Sequence, residues 1–148
     1  SAFYKNALTS VKFPDSLTIV GDWAFGRNEL TSVTFPDSLT TIGDFAFDDC
    51  ESLSSITLPE GVTSIGDGAF IECSRLGSIR IPEGVTSVGR GAFFGYISLR
   101  SIKINTQDRQ RYEALKSMLI ASGVDAGLIV NDALEPGAHA VGAKCFIQ

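Results

Sequence analysis

The stretch from Leu30 to Phe47 reads LTSVTFPDSLTTIGDFAF, and it decides the fold because the same phrase recurs along the chain. The further copies, spaced by 22 or 23 residues, begin at Leu8, Leu53, Leu76 and, in part, Leu99. Repetition at one period is typical of a solenoid, in which each unit buries its apolar face against its neighbours. The chain of 148 residues is therefore predicted to be a stack of coils.

Each repeat predicts two short extended segments. In the first, L-x-S-[VI]-x-[FLI], apolar and polar residues alternate, so Val11 and Phe13 are expected to point inward and Lys12 outward. Pro14 should end this strand because proline donates no hydrogen bond to a ladder. A second segment, L-T-x-[IV]-G, returns along the other side. Its glycine is expected to provide a tight bend or a positive φ, at Gly21, Gly43, Gly66 and Gly89.

Stacked coils place equivalent residues about 4.8 Å apart, so recurring residues become columns. The aromatic residue of each Ala-Phe pair predicts a continuous spine of Phe3, Phe25, Phe47, Phe70 and Phe93. Three residues further on, small polar side chains are expected to bond backbone groups of neighbouring coils, in a column of Asn6, Asn28, Cys50, Cys73 and Tyr96. A disulfide between Cys50 and Cys73 is geometrically conceivable, but buried structural thiols are the favoured interpretation.

The combined phrase L-x-S-[VI]-x-[FLI]-P-x-x-[LV]-T-x-[IV]-G-[DR]-x-A-F resembles the BspA-type leucine-rich repeat family over residues 1 to about 104. The resemblance implies a leucine-rich-repeat solenoid with a parallel β-sheet on its concave face and short strands or turns on the opposite face. It also implies a bacterial surface or secreted protein whose role centres on adhesion and protein binding. Arg90 departs from the family's acidic residue, which leaves the fold unaffected but changes the local surface.

After Ile104 the period breaks, and residues 105–131 are predicted to cap the last coil with a helix and a strand. The helix is expected over residues 105–123, with Asn105 or Thr106 at its start and Gly123 at its stop. Its apolar residues, Tyr112, Leu115, Met118 and Leu119, are expected to cover Phe94, Tyr96 and Ile97. Residues 128–130 should add a strand beside residues 102–104, and residues 132–148 are expected to form a loose tail that includes Cys145 to Ile147.

The composition argues against several classes of function. No run of about 18 apolar residues occurs, so no membrane span is predicted in this segment. The net charge of −5 argues against nucleic acid as a partner. His139 is the single histidine and lies in a stretch rich in Pro, Gly and Ala, without the rigid partner that nucleophilic catalysis requires. Neither enzyme activity nor a cofactor is predicted.

Acidic residues also form columns: Asp15, Asp37, Glu60 and Glu83 follow the prolines, and Asp22, Asp44 and Asp67 follow the glycines. Calcium could bridge such columns, but its sites normally gather six to eight oxygen ligands. We therefore interpret these side chains as solvated carboxylates and predict no metal site. The cysteines likewise lack the paired ligand spacing of a zinc site.

Two outward-facing columns are candidate binding surfaces. Beside a row of serines, the first strands should present a varied row of Lys12, Thr34, Thr57, Arg80 and Lys103, which is the candidate ligand-binding row. Trp23 and Phe45 occupy one position in adjacent copies and form a candidate aromatic patch, either an interface hot spot or local packing. A soluble face without a partner is the alternative for the first row.

These observations favour a non-enzymatic interaction module that binds a protein or glycan ligand. The alternatives are a delivered bacterial factor that acts by binding inside another cell, and a structural spacer or self-assembly element. Residues 1–74 carry eleven acidic and three basic side chains, and residues 75–148 carry six and nine, so head-to-tail self-association is possible electrostatically. The chain opens on the end of a repeat, so a further N-terminal part is expected to hold the signal that directs the protein to the cell surface or outside the cell.

Overall fold

The computed structural model describes residues 2–95 and 97–134. The predictions for Tyr96, His139 and the tail from residue 135 onward lie outside the described residues. The elements in chain order are β1 (Ile19–Val20), β2 (Ser32–Thr34), β3 (Thr41–Ile42), β4 (Ser55–Thr57), β5 (Ser64–Ile65), β6 (Ser78–Arg80), β7 (Ser87–Val88), β8 (Ser101–Lys103), α1 (Arg109–Ala121) and β9 (Ile129–Val130). Short 3-10 turns span Ala126–Leu128 and Asp132–Leu134.

The strands lie on two sides of the coil. The back strands, β1, β3, β5 and β7, form one parallel sheet in register, with Val20 opposite Ile42 and Ile65 opposite Val88. The front strands form two parallel ladders, β2–β4 and β6–β8–β9. Residues 10–12 of the first copy do not form a strand. The architecture is the predicted solenoid, with its front sheet divided between β4 and β6.

The aromatic spine is confirmed. Successive Phe rings from Phe3 to Phe93 stack with centroids 5.4–5.7 Å apart and planes within 13° of parallel. Phe47 and Phe70 are almost completely buried at the centre of the stack. Each buried Phe removes roughly 150 Å² or more from water, which at about 25 cal/mol per Å² makes the spine a leading stabilising element.

The polar column inside the coil satisfies backbone groups, as predicted. The Asn28 amide oxygen accepts from the backbone N–H groups of Asn6 and Leu8, and its nitrogen donates to the carbonyls of Phe3 and Phe25. The Cys50 thiol donates to the Phe25 carbonyl, and the Cys73 thiol donates to that of Phe47, each over 3.2 Å. Both cysteines are free and buried, so the column is built from structural thiols rather than a disulfide.

The repeated glycines are required for a reason that the sequence did not indicate. Of the two expected roles, a tight bend or a positive φ, the second is not observed at Gly21, Gly43, Gly66 or Gly89. A Cβ at Gly43, Gly66 or Gly89 would lie 2.3–2.7 Å from the backbone nitrogen of the aspartate in the preceding coil. Two coils therefore approach too closely at this column for any side chain. At Gly21, which begins the column, a Cβ would meet nothing within 4 Å.

The cap forms, but its details differ from the prediction. Helix α1 begins later than expected because Asp108, rather than Asn105 or Thr106, is the N-cap and accepts from the Arg111 N–H. Thr106 is instead buried, where its backbone exchanges hydrogen bonds with the Asn131 side chain. The helix ends as predicted, with Gly123 at φ 110° just beyond its C-cap.

Leu115 and Leu119 form the buried face of α1, with Tyr112 and Met118 packed beside them. Phe94 and Ile97 were expected beneath the helix, but they are exposed by 62% and 86%. The helix instead lies over β7, and its end supplies the Ser122 carbonyl to the N–H of Gly91. In earlier coils this N–H bond goes to the next repeat, so the cap replaces a missing coil. The predicted strand beside β8 is also confirmed, as β9.

Candidate functional site

The candidate ligand-binding row is divided by the break in the front sheet. Thr34 and Thr57 are exposed and lie side by side at the ends of β2 and β4. Arg80 and Lys103 form an equivalent pair at the ends of β6 and β8. Lys12 is exposed on a segment that forms no strand. The structure therefore provides a hydroxyl pair and a basic pair. Lys12 lies beside the hydroxyl pair, since Lys12 and Thr34 line the same shallow surface hollow.

The basic pair is already engaged in ion pairs that sequence reasoning missed. The Arg80 guanidinium contacts the Glu60 carboxylate from the preceding turn. The Lys103 ammonium lies 3.5 Å from the Asp132 carboxylate, which belongs to the cap. All four side chains are substantially exposed, and such surface pairs contribute only about 0–1 kcal/mol. A competing acidic ligand would lose little by displacing Glu60 or Asp132.

The aromatic patch is larger than predicted, because Tyr4 belongs to it. The Trp23 and Phe45 rings stack with centroids 4.4 Å apart, and Tyr4 meets Trp23 at 79° with centroids 5.8 Å apart. We call Tyr4, Trp23 and Phe45 the aromatic ridge. It lies outside the Phe spine, and Trp23 remains 38% exposed.

Glycines provide room for the ridge. A Cβ on Gly68 would lie 2.4 Å from Phe45 Cε1, and a Cβ on Gly26 would lie 2.9 Å from two ring carbons of Tyr4. The rings of Phe45 and Tyr4 thus pack directly on the backbone of the following coil. This role of Gly68 was not predicted from the sequence, because it depends on the position of a ring from the preceding coil.

Trp23 and Phe45 adopt a backbone conformation that disfavours large residues. Their φ angles are 57° and 54°, and the equivalent Gly68 and Gly91 have 58° and 66°. This left-handed conformation costs an L-residue about 1–2 kcal/mol and glycine almost nothing. An aromatic stack contributes about 0.5–1.5 kcal/mol beyond area burial. The stacking energy therefore offsets only part of the backbone cost of these two residues, and the ring area that they bury contributes the remainder.

The aspartates beside the ridge form a structural ladder. Asp22 Oδ1 accepts from the N–H of Asp44, Asp44 Oδ1 from that of Asp67, and Asp67 Oδ1 from that of Arg90, each over 2.8 Å. All three residues are exposed, as expected for solvated carboxylates, and the ladder that one oxygen of each forms is an addition that the sequence did not indicate. Arg90 ends the ladder, which explains why the last copy has no aspartate there.

Asp48 and Asp49 form a second acidic group, in the coil that follows Gly26. Asp48 and Asp49 share Arg27, whose Nε lies 3.8 Å and 3.5 Å from their carboxylates. Burial raises the pKa of Asp48, and the charges of Asp49 and Glu72 raise it further against the opposing effect of Arg27. One arginine therefore does not balance the negative charge in this region. Within residues 2–95 and 97–134, no group of three or more potential ligands is arranged to hold a metal ion.

The buried thiols of Cys50 and Cys73 in the polar column are poorly reactive. Burial is the main cause that raises the pKa of Cys50, to about 11, and it also raises the pKa of Cys73. A neutral buried thiol is a poor nucleophile because the thiolate is the reactive form. Their geometry supports a structural role.

The family assignment follows from the repeats seen in this geometry. A model of the BspA type leucine rich repeat region matches residues 1–117 in six copies. The chain belongs to the BspA-type leucine-rich repeat family. No curated protein sequence matches it. In the part of the chain that the structure describes, no helix has the length and apolar character that a bilayer crossing requires.

Solved structures of bacterial leucine-rich repeat proteins are similar to this chain. The leucine-rich repeat protein of T. pallidum is 34% identical with a TM-score of 0.68, over 69% of this chain and 49% of that protein. A leucine-rich repeat protein from Bacteroides capillosus is 34% identical with a TM-score of 0.57, over 61% and 64%. A leucine-rich cell surface protein from Faecalibacterium prausnitzii is 29% identical with a TM-score of 0.54, over 72% and 34%. The chain thus spans about half the length of the T. pallidum protein and less than two thirds of the length of the other two.

Proposed function

We propose that this BspA-type repeat segment is a non-enzymatic module that binds a protein ligand on the outward row of its front strands, on the surface of a bacterial cell or outside it. The observation that carries the proposal is the fixed spacing of Thr34 with Thr57 and of Arg80 with Lys103 on hydrogen-bonded strands. A row held by backbone ladders loses little entropy when it binds. The similar F. prausnitzii protein is a cell surface protein, which supports the location.

The chemistry of the row favours a ligand with acidic and hydroxyl groups. Arg80 and Lys103 can exchange their weak surface ion pairs for carboxylates of a partner. Thr34 and Thr57 add neutral hydrogen-bonding groups at the other ladder. A glycan is the alternative ligand for such hydroxyl-rich positions.

A charge-reversal experiment tests this surface. The double variant R80E and K103E is compared with R75E and R90E, a matched pair that makes the same charge change at exposed positions outside the row. The probes are a panel of purified extracellular matrix proteins and a glycan array. We expect a protein ligand whose Kd rises about tenfold or more in the first variant and less than about twofold in the second.

Thermal melting of both variants establishes that they fold. Equal loss of binding in the two double variants would assign the effect to net charge and defeat the proposed row. Binding confined to the glycan array would replace the protein ligand with a carbohydrate.

Head-to-tail self-association is a second candidate function because residues 1–74 carry a net charge of −8 and residues 75–148 a net charge of +3. The acidic first half could attract the basic second half of another copy. Light scattering at low salt should then show oligomers that dissociate as salt is added. A monomer at low salt would exclude this function.

A further inference from the structure

We propose that the aromatic ridge, with Asp22 and Asp44 beside it, is a docking site for an arginine- or lysine-bearing segment of a partner protein. The site follows the back strands along each coil, whereas the row considered above belongs to the front strands. It refines the proposed binding function by naming a partner chemistry. Either surface can fail in its own test without affecting the other.

The ridge leaves aromatic surface exposed at a column where other copies carry glycine. The third and fourth copies have Gly68 and Gly91 there, which suit the left-handed backbone without strain. The left-handed conformation itself belongs to the repeat, since Lys5, Arg27, Asp49 and Glu72 also have positive φ. Trp23 keeps 38% of its surface exposed, and an exposed aromatic pair is typical of a binding surface.

The ridge offers aromatic surface to a cationic side chain. The Tyr4 and Trp23 rings meet edge to face at 79° with centroids 5.8 Å apart, and Trp23 keeps 38% of its surface exposed. Phe45 stacks on Trp23 and extends the apolar surface by one coil. Faces of Trp and Tyr attract ammonium and guanidinium groups through the ring quadrupole, and arrangements of two or more rings recognise cations.

The charges around the ridge favour the same ligand. Asp22 and Asp44 directly precede the two stacked residues, and each keeps one carboxylate oxygen that is not used by the aspartate ladder. Arg27 is occupied by Asp48 and Asp49, and the exposed Lys5 is the other basic residue near Tyr4 in sequence. The net charge of −8 over residues 1–74 would steer a basic segment toward this half.

The experiment uses the single tryptophan of the chain as its reporter, because Trp23 lies in the proposed site. The probe is an octapeptide that alternates arginine and glycine, and its control replaces arginine with the neutral isostere citrulline. We expect the arginine peptide to change Trp23 emission saturably, and its Kd to rise about tenfold between about 20 mM and about 0.5 M salt. The citrulline peptide should leave the emission unchanged.

Three double variants separate the components of the site, with calorimetry as the readout. W23G/F45G should keep the fold, since other copies carry glycine there, and should weaken binding about tenfold or more. D22N/D44N removes two charges but retains the amide oxygen that the aspartate ladder needs, and should weaken binding several-fold. D15N/D37N removes the same charge from the turns after the prolines, and should change Kd less than about twofold.

Several results would overturn the site. The first is the absence of any response to the arginine peptide. The second is that W23G/F45G binds the peptide as tightly as the unmodified chain. The third is an equal loss of affinity in D15N/D37N and D22N/D44N, because that result would indicate general attraction to an acidic surface. A stronger, salt-independent emission change with a neutral oligosaccharide would identify a glycan site instead. R80E/K103E should bind the peptide normally, so failure of the front row would be recognised separately.

Discussion

The first and the last Phe of the spine have different surroundings in this segment. Phe3 is 49% exposed and stacks on Phe25 from one side. The equivalent Phe93 is 2% exposed because it stacks on Phe70 and the cap, with its buried residues Leu115 and Leu119, covers its other side. The same repeated residue therefore differs in burial according to what covers its coil.

The largest effect should come from shortening the spine beneath the cap. We expect Phe93→Ala to lower the free energy of unfolding by about 3–5 kcal/mol, as burial-dependent cavity formation does for large core residues. Phe3→Ala should cost about 1 kcal/mol or less because half of that side chain is already in water. Urea unfolding of both variants measures the difference. Equal losses would show that the first coil is as well covered as the last.

A medium effect should follow from loosening the cap itself. Arg111 on α1 donates from Nε to the Glu83 carbonyl and from a terminal nitrogen to the Val85 carbonyl, and so joins the helix to the last full coil. Arg111→Met should cost about 1–2 kcal/mol in urea unfolding, since hydrogen bonds from charged groups are worth more than neutral ones. Arg109→Met is the control, because its pairing with Glu113 at 4.0 Å is exposed. A similar cost for both would assign the effect to helix propensity or charge.

The smallest effect concerns the polar column, which uses the amide of Asn28 in one coil and the thiols of Cys50 and Cys73 in the two coils that follow. The folded-state pKa of Cys50 is raised to about 11 from an ordinary value of 9.0, and that of Cys73 is raised as well. The stability that these neutral thiols contribute is complete below about pH 9 and is lost as pH rises through the folded-state values. We expect a loss of about 1 kcal/mol per thiol near pH 10.

The measurement for the thiols is urea unfolding at pH 8 and pH 10, compared with C50A/C73A. The free energy of unfolding should fall less between pH 8 and pH 10 in C50A/C73A than in the unmodified chain. The fall that remains comes from the ionisation of other groups. In a C145S background, native protein should resist thiol labelling at pH 8. Rapid labelling there would mean that the column opens in the native state.

Much of the fold could be predicted from the sequence because its signals are local and repeated. The alternation around Val33 and the recurring Phe of the spine predicted strands and core correctly, and the break after Ile104 predicted the cap. The reason for Gly43 could not be found this way, because it depends on how closely the Asp22 backbone of another coil approaches. The helix start was missed because the buried contacts of Thr106 with Asn131 compete with helix formation.

The candidate sites were less predictable than the fold. Position in the repeat correctly placed Arg80 and Lys103 side by side, but their partners Glu60 and Asp132 come from a turn and from the cap. Stacking of Trp23 on Phe45 followed from their shared position, whereas Tyr4 joins them from a different column. Contacts that cross columns have no period, and a pattern search along one chain does not reveal them.

The ladder from Asp22 to Arg90 has a consequence for how such a protein changes its length. Each aspartate accepts an N–H from the coil that follows, and the arginine belongs to the last full copy, after which only the partial copy from Leu99 and the cap follow. Duplication of an internal unit would carry its own acceptor and extend the array without other changes. A unit appended after Arg90 would instead need that residue to become Asp. Growth from within is therefore the simpler genetic route, and this position marks the last unit of the array.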